Sequence, residues 1–369
     1  MSAEAVADAS PAAGRVTTLE LFFDLVFVFT ITQLSAVLAH DLSGTSLLHV
    51  ALTLAVIWYM YAGYAWLTNA IATDEPVNRM LLLAGMCGYF ILALAIPRAF
   101  DDSGLAFGLG YVFVVLIHAW LFAHSAGAGA ARGIVRLARS NVPGALLVLA
   151  GGALGGDAQV VLWTAAVVAL WIVPRLAGIE GFDIAPSHFV ERHGLVIIVA
   201  IGESVVAIGI GASELAIDLE LALVAVLGIL LSAGLWWTYF GGDDVRAEEA
   251  LVALPSRERP IAALEAFGYA HYLLLLGIVC LAVGLKQATA HAYDPLADSQ
   301  ALVLAGGVAL FLAADVWFRR ILRIGTAPAR AAGALLALAT IPLGTGIAAI
   351  AQVLALALVV AACAQGRSA

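Results

Sequence analysis

Apolar blocks of roughly twenty residues recur along the whole chain, and they restrict the fold more than any other feature of the sequence. Each block is about long enough for a helix to cross a hydrocarbon core of ~30 Å. Hydrophobic residues make up 63% of the 369 positions and charged residues only 12%, whereas a soluble domain is about half apolar and about a quarter charged. The sequence therefore predicts an all-α, polytopic integral membrane bundle.

Reading the blocks in order predicts about twelve transmembrane helices. Pro143 and Gly144 interrupt the fifth block, and only Pro342, Leu343 and Gly344 separate the last two. The approximate bounds are 18–39, 46–72, 78–97, 104–125, 140–156, 158–178, 188–211, 217–240, 259–286, 299–319, 327–342 and 343–364.

The arginines give an independent test of this count. Lys and Arg concentrate on the cytoplasmic side of membrane proteins, whereas Asp and Glu contribute little to orientation. With both termini in the cytoplasm, the outer loops hold only Arg98 and Lys286, and the other fifteen of the 17 basic residues lie inside. These are Arg15, Arg79, Arg132, Arg136, Arg139, Arg175, Arg192, Arg246, Arg257, Arg259, Arg319, Arg320, Arg323, Arg330 and Arg367. Residues 1–16 are predicted to be a disordered cytoplasmic tail.

A weak internal similarity predicts two six-helix repeats, at 17–180 and 187–366. At an offset of 171 residues, Glu20 matches Glu191 and Trp66 matches Trp237. Six is an even number, so the repeats would be parallel and related by an axis along the membrane normal, with any pathway between them. The alternative is that apolar stretches rich in Ala, Leu and Val resemble one another without a shared origin.

Charged residues inside the first predicted span are the first functional candidates, because ionisable groups are costly in a bilayer. Glu20 and Asp24 are four residues apart and therefore share one helical face. They either line a water-filled path or pair with Arg15 or Arg192 to hold the bundle together.

The seventh span contains the most unusual polar pattern. Glu191, Arg192 and His193 lie near its start, and Glu203 and Ser204 follow deep in the apolar run. A carboxyl group at that depth must be protonated, paired or hydrated, so it carries a proton, coordinates a cation or forms an interhelical hydrogen bond. The spacing lacks the i, i+4 histidines of a zinc helix. No metal site, catalytic residue or cofactor is predicted.

His118 in the fourth span and Asp315 in the tenth occupy nearly equivalent places in the proposed repeat. An Asp–His pair across the pseudo-axis would form a proton relay. Each residue could equally be a satisfied polar contact between helices.

Two strings resemble the hallmark motifs of the bacterial low temperature requirement A (LtrA) family. The first is Thr18-Leu19-Glu20-Leu21-Phe22-Phe23-Asp24 with the apolar residues that follow it, and the second runs from His188 through Glu203-Ser204. The resemblance extends over nearly the whole chain. It implies a bacterial inner-membrane protein and marks the matching polar residues, but it supplies no substrate. Those residues are Glu20, Asp24, Glu191, Arg192, His193 and Glu203.

Three functions are compatible with the sequence. The favoured one is a transporter or channel that moves a cation, proton or small solute past intramembrane carboxylates. The alternatives are an intramembrane enzyme acting on lipid substrates, or a membrane sensor or scaffold linked to growth at low temperature. Soluble-enzyme signatures are missing, and nucleic acid is excluded as a partner because no basic face exists. The expected partners are the lipid bilayer and a small ion or solute, and the sequence does not decide whether homo-oligomers form.

Overall fold

The computed structural model describes residues 16–125, 128–178, 182 and 184–365, and every regular element within these ranges is helical. The predicted tail lies outside them except for Val16. The first half contains α1 (Thr18–His40), α2 (Gly44–Ala70), α3 (Pro76–Ala95), α4 (Gly104–Ser125), α5 (Ala128–Leu154) and α6 (Gly156–Ala177). The second contains α7 (Pro186–Ala212), α8 (Leu219–Phe240), α9 (Asp243–Ala253), α10 (Arg259–Ala263), α11 (His271–Ala290), α12 (Asp298–Leu322), α13 (Pro328–Ala339), α14 (Ile341–Gly346) and α15 (Ala349–Gln365).

The membrane-spanning segments follow the apolar blocks closely. Within the described residues, eleven helical segments are long and apolar enough to cross a membrane, and a shorter apolar helix at Ala349–Ala364 overlaps the last predicted span. The long apolar helices confirm an all-α polytopic membrane bundle. Large apolar side chains also remain exposed around the outside, as lipid contact requires and as a soluble protein avoids; they include Leu25, Leu94, Leu116, Val161 and Leu176.

The two predicted interruptions of the apolar blocks have different outcomes in the structure. Pro143 lies inside the continuous helix α5, which begins at Ala128 rather than near residue 140. Pro342 is the second residue of α14, and the break between α13 and α14 lies at Thr340, two residues earlier. Proline is tolerated in the first turn of a helix, where its missing N–H has no intrahelical partner. Pro143 therefore marks no helix end, whereas Pro342 lies close to one.

Two further features, one after the eighth span and one inside the ninth, were not predicted from the sequence. Helix α9 is short and amphipathic, and it follows Gly242, whose φ of 109° lies in the left-handed region that favours glycine. The next span begins with α10 and passes into α11 through a π-helical segment, Leu264–Ala270. Such widened turns are rare and occur frequently at functional sites.

Glycines allow the closest approach between neighbouring helices. A Cβ on Gly152 of α5 would lie 2.0 Å from the carbonyl oxygen of Gly104 on α4. A Cβ on Gly307 of α12 would lie 2.7 Å from the carbonyl oxygen of Gly277 on α11. Small residues at such contacts are typical of membrane bundles, where packing rather than the hydrophobic effect holds helices together.

The main helix contacts are shared between the two halves. In the first half α1 contacts α2 and α3, α4 contacts α3 and α5, and α6 contacts α5 and α2. In the second half α7 contacts α8 and α11, α12 contacts α11 and α13, and α15 contacts α13 and α8. In each half these contacts therefore join the helices in a closed ring, in which the second helix contacts the last.

Helices α1 and α7 pack against each other in a parallel direction. The amide of Val16, just before α1, donates to Glu191, and Thr32 farther along α1 donates to Glu203 farther along α7. Later residues of α1 therefore contact later residues of α7. The start of α7 lies beside α9 and the end of α12, where Phe189, Leu251, Phe318 and neighbouring side chains form a second apolar core. We call this end of the bundle the α9 end.

Candidate functional site

A buried ion pair joins α1 and α7 near the α9 end. Nη1 of Arg192 lies 2.6 Å from Oδ1 of Asp24 and also donates to the backbone carbonyl of Glu20 at 2.8 Å. Nε of Arg192 lies 3.9 Å from Oε1 of Glu20. The three side chains are at most 2% exposed. Of the two roles proposed for Glu20 and Asp24, the pairing with Arg192 is present in the structure, whereas Arg15 lies outside the described residues.

The local sequence fixes Glu20 at the first turn of α1. Its Oε2 accepts hydrogen bonds from the backbone N–H and the hydroxyl of Thr17, at 2.8 and 2.9 Å. The hydroxyl of Thr17 in turn caps the N–H of Glu20, which completes a capping box. This end of the Glu20 side chain is therefore held by its own helix, and the rest of the carboxylate is free to face α7.

His188 of α7 completes the contacts of Glu20. Its Nε2 lies 3.0 Å from Oε1 of Glu20, and its Nδ1 lies 3.2 Å from the amide nitrogen of Asn69 on α2. A carboxylate can only accept and an amide NH2 can only donate, so both contacts are satisfied by a neutral imidazole with its proton on Nε2. Asn69 therefore selects the tautomer that donates to Glu20.

Tyr61 of α2 closes the cluster on the side of the membrane interior. Its hydroxyl donates to Oδ1 of Asp24. The guanidinium of Arg192 lies 5.4 Å from the Tyr61 ring centroid and 5.8 Å from that of Phe23, within the range of cation–π attraction. We call Glu20, Asp24, Tyr61, His188 and Arg192 the α1–α7 charged cluster.

The polar atoms of the charged cluster are not all satisfied. Nε and Nη2 of Arg192 and Oδ2 of Asp24 are buried, and none has a hydrogen-bond partner among the described residues. Two carboxylates also face one guanidinium. Each buried unpaired polar atom costs about 1–3 kcal/mol, and more if it is charged. The cluster is thus suited to holding water, a proton or a cation in addition to the protein groups.

A second carboxyl group lies farther along the same helix pair. The hydroxyl of Thr32 on α1 donates to Oε2 of Glu203 on α7 at 2.6 Å, and Glu203 is only 4% exposed. Eleven residues separate Arg192 from Glu203, which places them about 16 Å apart along the helix axis. The α1–α7 interface therefore carries ionisable groups at two depths.

The surroundings of Glu203 combine open space with an unpaired hydroxyl. A Cβ added to Gly202, which precedes Glu203 and is half-buried, would meet no atom within 4 Å. Ser204 is fully buried, and its hydroxyl has no partner in the part of the chain that the structure describes.

Comparison with known proteins identifies the family. A sequence model described as bacterial low temperature requirement A protein (LtrA) matches residues 15–365. The chain belongs to the LtrA family. It is also 30% identical over 315 residues to an uncharacterized protein of Rhizobium meliloti (strain 1021), covering 82% of this chain and 76% of that protein. The resemblance predicted from the two motifs is confirmed, and in the LtrA structure those motifs form α1 and α7 and meet at the charged cluster.

Two residues of the second LtrA motif lie away from the cluster. Glu191 is exposed at the α9 end, where one carboxylate oxygen accepts the N–H of Val16 at 3.2 Å. His193 is fully buried among aromatic rings, with Phe267 and His271 at centroid distances of 5.1 and 5.6 Å. Its Nδ1 bonds the carbonyl of Phe189, and its Nε2 has no partner among the described residues.

The predicted pair of His118 and Asp315 does not form. Asp315 bonds Arg330 of α13. Both ring nitrogens of His118 lack a partner within the described residues, and the ring lies against Tyr64, Phe122 and the backbone of Gly63. Each of the two side chains instead faces neighbours within its own half of the chain.

His118 instead borders a small internal cavity of about 70 Å³. Its other walls include Trp58, Tyr59, Asn141 and the π-helical segment, where the carbonyl of Gly268 accepts the indole N–H of Trp58 at 2.7 Å. This volume is well below the usual range of about 300–1,000 Å³ for small-molecule sites, and the lining is mostly apolar.

A second charged network was missed by the sequence reasoning. Asp243 of α9 accepts hydrogen bonds from Arg246, Arg319 and Arg330. Asp315 shares Arg330 with it. The local signals were the i, i+3 spacing of Asp243 and Arg246 and the i, i+4 spacing of Asp315 and Arg319, and neither indicates that these residues meet each other and Arg330.

Among the residues that the structure describes, no group of three or more His, Cys, Asp and Glu side chains is placed to hold a metal ion.

Proposed function

We propose that this protein is an inner-membrane transporter or channel that moves a cation, a proton or a small solute along the α1–α7 interface. The observation that carries the proposal is the incompletely satisfied charged cluster in a buried interface that continues to Glu203. Purely structural ion pairs in a membrane are expected to be neutral and fully bonded. The α1–α7 charged cluster has an excess carboxylate, and Nε and Nη2 of Arg192 and Oδ2 of Asp24 have no hydrogen-bond partner among the described residues.

The proposal includes two parallel six-helix repeats with the α1–α7 contact at their pseudo-axis. Thr32 and Glu203 are 171 residues apart, which is the offset of the proposed repeat, and they bond each other. Equivalent residues can touch only near the axis that relates them. The parallel packing of α1 and α7 and the shared neighbour pattern of the halves support the same arrangement, and transporter pathways commonly lie at such interfaces.

We also propose that both termini and the α9 end face the cytoplasm, with twelve spans. Arg246 and Arg319 lie in the network beside α9, and Arg175 bonds Glu265 near the start of the ninth span. Lys286, by contrast, lies beside Gly211 at the far end of α7. The distribution of basic residues between the two ends follows the positive-inside rule.

In this function each carboxyl group has a distinct role. Asp24 and Glu20 share Arg192, so a proton or cation that binds there competes with the guanidinium and loosens the contact between the helices. Glu203 accepts a hydrogen bond from the neutral hydroxyl of Thr32 and forms no ion pair among the described residues, so it exchanges a proton without breaking one. The interface therefore offers a proton-relay group at Glu203 and, nearer the α9 end, a group at Asp24 and Glu20 whose charge controls the contact between the helices.

Flux through the reconstituted protein tests the proposal. Proteoliposomes with an internal pH-sensitive or potassium-sensitive dye compare wild type with Glu203→Gln and Asp24→Asn. Glu191→Gln is the matched control, because Glu191 lies on the same helix but is exposed. We expect wild-type flux, its loss in the first two variants and its retention in the control. Flux that survives in folded Glu203→Gln and Asp24→Asn protein contradicts the site, and an absence of flux with ions and solutes from folded wild-type protein contradicts the function.

The lipid-enzyme alternative receives less support from the geometry. An enzyme of this kind would use the histidines near the start of α7, but His188 is engaged by Glu20 and Asn69, and His193 is enclosed by rings. Neither is presented to a headgroup.

A further inference from the structure

A polar pocket lies at the α9 end, apart from the α1–α7 charged cluster. It has a volume of about 390 Å³ and is formed by α9, the end of α12 and the segment that leads into α13. Three arginines line it, namely Arg246, Arg319 and Arg330. This volume is within the usual range of about 300–1,000 Å³ for small-molecule sites.

The charges around the pocket do not balance. Three guanidiniums face two carboxylates, because Asp243 bonds all three arginines and Asp315 bonds only Arg330. Asp244, the neighbour of Asp243, lines a different pocket beside Phe240. The groups that line or bond this pocket therefore carry one more positive charge than negative charge.

Arg319 has unused donor capacity at the pocket. The residue is 8% exposed, and its buried Nε has no hydrogen-bond partner in the described part of the chain. Its Nη2 is fixed by the carbonyl of Ile324 at 3.0 Å. The next residue is Gly325, whose φ is 105° and where a Cβ would lie 3.2 Å from that Nη2. The backbone thus turns tightly around a guanidinium that is held in place but incompletely bonded.

The start of α13 adds backbone donors to the same pocket. Pro328 occupies the first helical position, and Ala329 and Arg330 line the pocket with it. The first N–H groups of a helix have no intrahelical acceptor and favour an anion. Guanidiniums and helix N-termini together form the usual surroundings of a phosphate group.

We infer that this pocket binds a phosphate group, carried either by an anionic lipid headgroup or by a soluble phosphate compound. The phosphate would neutralise the surplus guanidinium charge and bridge α9 to α12 and α13. This site is separate from the proposed transport path. The phosphate-binding inference can therefore be correct or wrong whether or not the protein transports a substrate.

Binding to the full-length protein in a neutral detergent tests this inference. The probes are inorganic phosphate and dioctanoyl phosphatidylglycerol, with dioctanoyl phosphatidylcholine and chloride at equal ionic strength as references. Concentration-dependent thermal stabilisation gives an apparent affinity for each probe. Arg246→Ala and Arg319→Gln remove pocket donors, and Arg320→Ala is the matched control because Arg320 is exposed and adjacent in sequence.

We expect at least one phosphate probe to bind, with affinity about tenfold weaker or worse in both pocket variants and unchanged in Arg320→Ala. The Arg246 side chain is 41% exposed, so its variant keeps the test open if Arg319→Gln fails to fold. Binding of phosphatidylglycerol that phosphate does not displace supports a lipid source, and binding of phosphate alone supports a soluble one. No binding by either probe, or equal losses in Arg320→Ala, overturns the inference.

Discussion

Replacing Arg192 by methionine is expected to destabilise the protein by about 3–5 kcal/mol. Methionine fills a similar volume but supplies no charge, so Asp24 and Glu20 are left as buried carboxylates without a cation. Removing one partner of a buried ion pair typically has a cost of this size, because the remaining charge is desolvated and uncompensated. The loss also includes the bond of 2.8 Å to the Glu20 carbonyl and two cation–π contacts.

A double-mutant cycle separates the ion pair from the other losses. Asp24→Asn removes the carboxylate charge but leaves an amide oxygen that can still accept the Tyr61 hydroxyl. In Arg192→Met/Asp24→Asn the unpaired carboxylate at position 24 is gone, so the double variant should be more stable than the sum of the single losses predicts. Hydrogen bonds between membrane helices show couplings that average about 0.6 kcal/mol and reach about 1.7 kcal/mol. We expect the Asp24–Arg192 coupling to exceed that upper value.

Reversible unfolding in mixed micelles, driven by increasing mole fractions of an anionic detergent, measures these free energies. Glu191→Gln is the control, because the residue beside Arg192 is exposed and should change stability by less than about 0.5 kcal/mol. A coupling near 0.6 kcal/mol would mean that the pair behaves as an ordinary interhelical hydrogen bond. That result would refute the assignment of a buried, charge-controlled contact between α1 and α7.

Two further substitutions test the packing and the second carboxyl site. Gly307→Val should lower the free energy of unfolding by about 3 kcal/mol, because its Cβ would lie 2.5 Å from the backbone nitrogen of Leu281. Gly306→Val should be tolerated, because its Cβ meets no atom within 4 Å. The same detergent titration measures both variants, and equal losses would contradict the close contact at Gly307. Thr32→Val removes the donor to Glu203, so it should lower the free energy of unfolding by about 0.6–1.7 kcal/mol and reduce proteoliposome flux. Thr32→Ser keeps the hydroxyl and should preserve both stability and flux. A Thr32→Val variant with wild-type stability and flux would show that the hydrogen bond is dispensable.

The positions of most helices were predictable from sequence because they depend on local composition. An apolar block of roughly twenty residues needs its backbone hydrogen bonds satisfied within the membrane, and a helix satisfies them whatever its neighbours are. The exceptions are helix ends that were predicted from proline alone, because a proline does not always end a helix. Pro143 lies within the continuous helix α5 and marks no break, whereas Pro342 lies two residues after the break between α13 and α14.

The candidate site was predictable only in part, because partners across helices depend on rotation and register. Glu20 and Asp24 were singled out correctly as a face, and Arg192 was one of their two expected partners. Nothing in the local pattern indicates that His193, one residue later, points into an aromatic core. For the same reason, the distance between Asp243 and Arg330 could not be inferred, since they are 87 residues apart.

The hydrogen bond between Thr32 and Glu203 bears on how such a protein could arise. In a homodimer of one six-helix unit, the two positions nearest the dyad must carry the same residue. Two glutamates there would repel each other unless they shared a proton, and two threonines would provide no acidic group. Fusion of the two units into one chain lifts that constraint and lets each copy mutate alone. On the proposed repeat, a single acid with its own donor at the centre is an asymmetry that a homodimer of one gene product cannot have.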